Sequence, residues 1–347
     1  MVGFGQGASV SPHGSHIAPI ITENGRLLLL KIVKKLLAGI AVAATAAFGL
    51  TACSDSGPAV SGEGKPLKVY ATTGYLADAV ENIAPNAEVT TMVGPGGDPH
   101  TYQPSTKDIE TIQKSDLVFW NGLHLEAQMT DLLTSLGDKQ VAVGENLPKN
   151  LLLDWPEKDD KGNALHDPHV WNSPEAWSLV VKNVADKFAE VDPDNAEKYK
   201  ANAEGYVKEI DAAVDESRDL LADGKIKPRI LVTGHDAFNY FGKTFDLDVH
   251  ATDFVSTEAK LSAAELSKLA QFIADNKVPV IFQDNQANPQ AITSLKEAVR
   301  ARGWHVEVSK EELFADSLGA EAPVDTYIGA LKHNARAVAE ALKTSGE

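Results

Sequence analysis

One tripeptide occurs twice in the chain, as Asp98-Pro99-His100 and as Asp167-Pro168-His169. Proline fixes its own φ and pushes the residue before it into an extended form, so each histidine is presented from a stiff loop. A single loop histidine is ordinarily a solvated or hydrogen-bonded side chain. Two in the same unusual context point to a shared task. His235 follows the apolar run 230–233 almost directly, His100 follows a run ending at Val93, and Asp316 comes in the loop after the run 305–308. Ligands of open α/β sheets bind beyond the carboxyl ends of the strands, so three of these four residues stand where a ligand would be met. Three neutral imidazoles and one carboxylate suit one divalent transition ion, close to a zinc preference in donor type and number. Manganese calls for more oxygen, which a bidentate Asp316 partly supplies. Four protein ligands leave no obligatory open position, which favours holding an ion over doing chemistry with it. Imidazoles must be neutral to bind, so affinity is expected to fall as pH drops through roughly 6.5.

The elements that must position these residues alternate. The pattern predicts strands at 67–71, 87–93, 116–120 and 140–143, with helices at 75–83, 105–114 and 125–136. The same grammar restarts with strands at 229–233, 247–251, 278–282 and 305–308 and helices at 237–245, 263–276, 289–301 and 326–342. Such βαβα order implies mostly parallel sheets covered by helices. The fold class expected is α/β: two lobes with mostly parallel sheets joined by one long rigid helix, with the metal site in the cleft between them. For that helix, Asp192 and Pro193 supply a start and Gly224 a stop. Tyr199, Ala203, Tyr206, Ile210, Val214 and Leu221 keep an apolar stripe at helical spacing. The domains expected are a lobe at 66–191, the linker helix at 192–224 and a second lobe at 225–347.

The N-terminal part belongs to export. Lys31, Lys34 and Lys35 precede an apolar run from Leu36 to Ala52, a positive region followed by a hydrophobic one slightly short of a membrane span. It ends in Leu50-Thr51-Ala52-Cys53, which looks like a bacterial lipobox. Residues 1–52 are therefore read as a signal peptide with an over-extended start, translation beginning near Leu30. Cys53, the only cysteine, is the expected lipidation point, and 53–65 a flexible tether. The mature protein is expected outside the cytoplasm, lipid-anchored to the cell membrane. One cysteine excludes a disulfide framework and a Cys-rich zinc module. A net charge of −17 from 49 acids and 32 bases, with no basic stripe, argues against a nucleic-acid partner.

Other features weigh less. The glycine run 94–97 lacks the Gly-Lys-Ser/Thr ending of a phosphate loop, so the chain is not read as an ATPase. Asp236, Glu258 and Asp284 could orient imidazoles, and His124, beside Glu126, could do the same or be structural. His166 is read as a solvated loop residue; His250, His305 and His333 lack a partner pattern. Trp171 is expected to shield the site, and Phe238 and Tyr240 to pack.

The chain resembles the TroA-like metal-binding lipoproteins that serve zinc and manganese ABC importers. The resemblance runs from about residue 65 to 342. It is carried, in order, by Gly-Asp-Pro-His-Thr-Tyr-Gln-Pro-Ser (97–105), Asn-Gly-Leu-His-Leu-Glu (121–126), Asp-Pro-His-Val-Trp (167–171), Val-Thr-Gly-His-Asp-Ala-Phe-Asn-Tyr-Phe (232–241), Val-Ser-Thr-Glu (255–258) and Leu-Phe-Ala-Asp-Ser-Leu-Gly (313–319). It implies that the two lobes are Rossmann-like, with His100, His169, His235 and Asp316 as ligands of one transported ion, Zn²⁺ or Mn²⁺, and a permease with its ATPase subunit as partners of a monomer. A histidine rather than a glutamate at the third ligand leans towards zinc. The short acidic stretch 153–167, with only His166, replaces the long His-rich loop common in zinc-specific members and points away from exclusive zinc use. The rival readings are a secreted zinc-dependent hydrolase, which would need an open coordination position and a general base, and an adhesin-like surface lipoprotein.

Overall fold

The computed structural model describes residues 65–343 except Asp160, Asp223 and 254–260. The signal peptide, Cys53, the tether up to residue 64 and the 255–258 motif with Glu258 lie outside the described residues.

The first half is built on β1 (Lys68–Ala71), β2 (Glu88–Thr91), β3 (Leu117–Trp120) and β4 (Gln140–Ala142). These strands form one parallel sheet in the order β2-β1-β3-β4. Helices α1 (Gly74–Ile83), α2 (Thr106–Lys114) and α3 (Thr130–Thr134) connect them. A hairpin follows, β5 (Asp154–Lys158) with β6 (Ala164–His166), then α4 (Pro174–Val191) and α5 (Ala196–Leu220). The second half carries β7 (Ile230–Thr233), α6 (Asn239–Phe245), β8 (Asp248–Ala251), α7 (Ala263–Asp275), β9 (Val280–Ile281), α8 (Pro289–Arg300), β10 (Glu307–Val308) and α9 (Tyr327–Leu342). Strands β7 and β8 pair in parallel, as do β9 and β10. A bridge from Thr233 to Phe282, with the Phe282 N–H donating to the Val232 carbonyl at 2.7 Å, aligns β7 beside β9. The order β8-β7-β9-β10 thus repeats that of the first sheet.

Three expectations need correction. The predicted helix 125–136 breaks into a 3₁₀ turn, Ala127–Met129, and the short α3. Its start is diverted because the buried Glu126 carboxylate turns back to accept the N–H groups of Asn121 (2.8 Å) and Gly122 (3.1 Å), while Leu123 and His124 sit at positive φ. The stretch 153–167 is a hairpin rather than a plain loop, and Asp167 is tied to its base by an N–H bond to the Leu153 carbonyl at 2.9 Å. The joining helix starts later than Pro193: residues Pro193–Asn195 make one 3₁₀ turn, and α5 runs 25 residues, about 38 Å.

Helix α5 is not a free rod. It packs along α4 and α9 and against α1, burying Tyr199, Ala203, Tyr206, Ile210 and Val214 on its stripe. One apolar cluster runs from Val69 and Phe119 of the first sheet through Trp177 and Phe188 of α4 and Ile210 of α5 to Leu231 and Val338. Buried Asp78 of α1 adds a polar pin, accepting the Tyr206 hydroxyl of α5 and the backbone N–H of Tyr327 at the head of α9. No helix among the described residues is long and apolar enough to cross a membrane.

Candidate metal centre

All four sequence-predicted residues meet. His100, His169, His235 and Asp316 each present one ligand atom, and these atoms lie within 4.8 Å of one another with every residue buried. His100 comes from the loop after β2, His169 from the turn between β6 and α4, His235 from the loop after β7 and Asp316 from the loop after β10. The two Nε2 atoms of His100 and His169 are 3.2 Å apart. Asp316 Oδ2 lies 3.4 Å from His100 Nε2 and 3.6 Å from His235 Nδ1, and its Oδ1 is 3.4 Å from His169 Nε2. A tetrahedral ion with bonds of about 2.0–2.1 Å has ligand–ligand edges of about 3.3–3.4 Å, close to these four spacings, so the group could hold a metal ion.

The repeated tripeptide has a physical reason. In each copy the aspartate accepts the N–H of the histidine two residues on: Asp98 Oδ1 from His100 at 2.8 Å and Asp167 Oδ1 from His169 at 3.0 Å. Such a turn closes over the proline and aims the ring. Asp167 goes further, lying 2.7 Å from His169 Nδ1 and taking the Asn239 amide at 3.1 Å on its other oxygen. A carboxylate there accepts Nδ1–H, which leaves His169 Nε2 bare and aimed at the centre. Asp167 is therefore the orienting carboxylate that sequence reasoning missed, although its place in the repeat was the signal.

Asp284 holds His235 by its backbone: Oδ2 accepts the N–H groups of Gly234 at 3.0 Å and His235 at 2.9 Å. Only glycine allows this approach, since a Cβ at Gly234 would sit 2.3 Å from the Ala287 Cβ. Burial pushes the Asp284 carboxyl up to about 6, against the lowering effect of His235. Asp236 is likewise pushed up to about 6 by burial and by Asp167. Asp316 goes the other way: burial would raise it, but the three imidazoles together hold it well below the usual carboxylate range. Neither of its oxygens accepts a hydrogen bond among the described residues. A buried carboxylate facing only imidazole nitrogens is costly without a cation to meet it.

Trp171 covers one side, its ring edge-on to His169 at 5.4 Å and its Nε1–H donating to the Ala315 carbonyl at 2.7 Å. Tyr75 stacks on Trp171 and donates to the same carbonyl at 3.0 Å. Tyr240 packs, and its hydroxyl also donates to the Asp167 carbonyl at 2.9 Å. His124 is exposed beside Trp155 and stays outside the cluster, while Glu126 serves the turn described above. His166, His250, His305 and His333 also lie outside it, three of them beside carboxylates (Asp154, Asp248 and Glu307) and His333 on the Glu312 carbonyl.

The chain is similar to named metal-binding proteins. The manganese-binding lipoprotein MntA of Bacillus subtilis is 32% identical over 302 residues, covering 86% of this chain and 96% of that protein. The zinc-binding protein TroA of Treponema pallidum is 35% identical over 284 residues, 81% of this chain and 90% of TroA. The solved structure of periplasmic TroA superposes with a TM-score of 0.74 at 34% identity, covering 80% of this chain and 99% of that one. The family described as ZnuA, zinc-uptake complex component A, periplasmic, matches residues 69–341. The family model spans almost all of the described residues and two relatives exceed 30% identity, so the chain belongs to the ZnuA family of metal-binding proteins.

Proposed function

We propose that the protein captures one divalent transition-metal ion outside the cytoplasm and hands it to an ABC-type permease driven by its ATPase subunit. His100, His169, His235 and Asp316 are the ligands. The observation that carries this reading is the buried set of four donors, all within 4.8 Å of one another, with Asp316 3.4–3.6 Å from each of the three imidazoles. Zn²⁺ is the first candidate, because three nitrogens and a carboxylate match its preferred shell. Mn²⁺ comes next for a specific reason: both oxygens of Asp316 face the imidazoles, so a bidentate carboxylate can supply the extra oxygen. The relatives named for manganese and for zinc support both cargoes. The protein works as a monomer, anchored to the membrane through a lipid on Cys53, with the cargo as substrate rather than as a catalytic cofactor.

The test is thermal unfolding after chelator stripping, with Zn²⁺ or Mn²⁺ added back. An ion a thousandfold above its dissociation constant adds about 4.1 kcal/mol to the stability of the native state. A large shift with one ion identifies the cargo. No shift with either ion sinks the proposal.

A further inference from the structure

The side chain of Gln286 sits between two of the ligand-bearing loops. Its Oε1 accepts the backbone N–H of Asp316 at 3.2 Å, and its Nε2 donates to the Gly97 carbonyl at 2.8 Å. The partners fix the amide's orientation, because a backbone N–H requires the oxygen and a carbonyl requires the NH₂. Asp316 follows β10 of the second sheet, whereas Gly97 belongs to the loop after β2 of the first, three residues before His100. One amide thus joins the carboxylate ligand of one half to the loop of a histidine ligand of the other.

The neighbours concentrate this role in Gln286. Asn285, just before it, stays within the second half: its Oδ1 accepts Ala315 N–H at 2.9 Å and its Nδ2 donates to Ser317 Oγ at 2.7 Å, framing Asp316 on both sides. Asp284 secures His235, also within the second half. Ser317 Oγ takes the Gly96 N–H at 3.0 Å, a second crossing beside the first. Gln286 itself is only half-buried, so water can compete for its bonds when the loops part. Among the crossings between described residues at the site, which also include Trp171 and Tyr75 to the Ala315 carbonyl, the Gln286–Gly97 bond is the one whose side chain is also bonded to the backbone of Asp316.

We propose that Gln286 is a positioning residue that latches the His100 loop to the Asp316 loop and so sets how long the ion is retained. This rests on the metal-capture reading. A latch made only in the closed state slows dissociation without speeding encounter, because encounter precedes closure.

The test is Zn²⁺ association and chelator-driven dissociation measured by stopped flow on the full protein, wild type beside Gln286→Leu and Gln286→Glu. Gln286→Leu removes both bonds. Gln286→Glu keeps an acceptor for Asp316 N–H but turns carboxylate oxygen towards the Gly97 carbonyl. The expected result is dissociation roughly five- to thirtyfold faster in both variants, the effect of one or two hydrogen bonds, with association and the metal-free melting temperature at wild-type values. Dissociation within twofold of wild type in Gln286→Leu overturns the latch. So does faster dissociation accompanied by a matching fall in metal-free melting temperature in both variants, which is general loosening. Failure of the wild-type protein to retain Zn²⁺ is a different result, and it overturns the capture reading itself.

Discussion

On the metal side the two halves of the molecule meet through hydrogen bonds between loops: Gly96 to Ser317, Gln286 to Gly97 and Trp171 to Ala315. Behind the site they share an apolar core that runs through α4, α5 and α9. The chemistry differs, and so does what each contact can do. A loop hydrogen bond has a net worth of about 1 kcal/mol and can be exchanged for water. A close-packed core has few alternative arrangements, and opening it costs its buried area. The same cluster reaches Trp171, Phe238 and Ala315 beside the site, so the expectation is that the back acts as a spine and the polar crossings in front are what gives way. Capture and release are then matters of the loops, with little demand on the sheets.

The largest effect should come at the front. Asp316→Ala removes the carboxylate of the proposed site, and the metal-induced rise in melting temperature is expected to vanish, a loss of about 4 kcal/mol at saturating Zn²⁺. Survival of the shift would mean that the ion sits elsewhere.

At the back, Ile210→Ala in α5 empties a fully buried site, and metal-free stability is expected to fall by about 2–5 kcal/mol in denaturant titration. Zn²⁺ affinity of the folded variant should stay at the wild-type value. A parallel loss of affinity would show that spine and loops are not separate.

Asp78 sharpens the same division through pH. Burial, reinforced by Glu81 and Asp325 and opposed by its bonds from Tyr206 and Tyr327, pushes its carboxyl up to about 6 from an ordinary 3.8. The folded state then holds this proton more tightly than the unfolded chain does. Its contribution is fully favourable below about pH 4, is lost as pH rises towards 6, and leaves a constant penalty above that. Asp78→Asn should raise metal-free stability at pH 7 by up to roughly 2–3 kcal/mol and flatten that pH slope, with metal affinity unchanged. A variant equal to or below wild type at pH 7 would show that the charged form is not the costly one.

The smallest effect separates the two Asp-Pro-His loops. Asp167 reaches the His169 ring as well as its backbone and is itself buried, whereas the Asp98 oxygens take the His100 N–H and the Thr101 hydroxyl, at 3.0 Å. Asp167→Asn should weaken Zn²⁺ binding by about 10–100-fold, the usual cost of losing a carboxylate behind a ligand histidine. Asp98→Asn should weaken it less, since an amide oxygen still accepts the backbone N–H. Equal losses by calorimetric titration would erase the distinction between the loops.

The four clustered residues were legible because their signals are local. A doubled tripeptide and residues just past apolar runs mark His100, His169, His235 and Asp316 before any tertiary contact is known. Two parallel α/β halves were legible in the alternation of short apolar runs with amphipathic ones, whereas the order of the strands within each sheet was not. Asp167 was legible in principle, since the repeat contains it, but the same turn closes in both copies, and nothing in the sequence shows that this carboxylate also meets the ring. Gln286 was not legible: no spacing marks it, and its meaning arises only when loops nearly 190 residues apart come together. Helix α4 carries ordinary signals, with Ser173 as cap, Pro174 in the first turn and an apolar stripe through Ala176, Trp177, Val180, Val181, Val184 and Phe188. It escapes the strand–helix alternation because it follows a loop rather than a strand of the sheet. The break at Glu126 failed for the opposite reason: helical periodicity continues past it, and a buried side-chain cap overrides the pattern.

The claim that most needs testing is that one ion is held by three imidazoles and the Asp316 carboxylate. X-ray absorption at the zinc edge on the singly loaded protein measures that shell directly. The expected spectrum shows about three imidazole nitrogens and one carboxylate donor at about 2.0–2.1 Å, with the shell altered in Asp316→Ala. A shell of six oxygens, or one unchanged by loss of Asp316, would contradict the account.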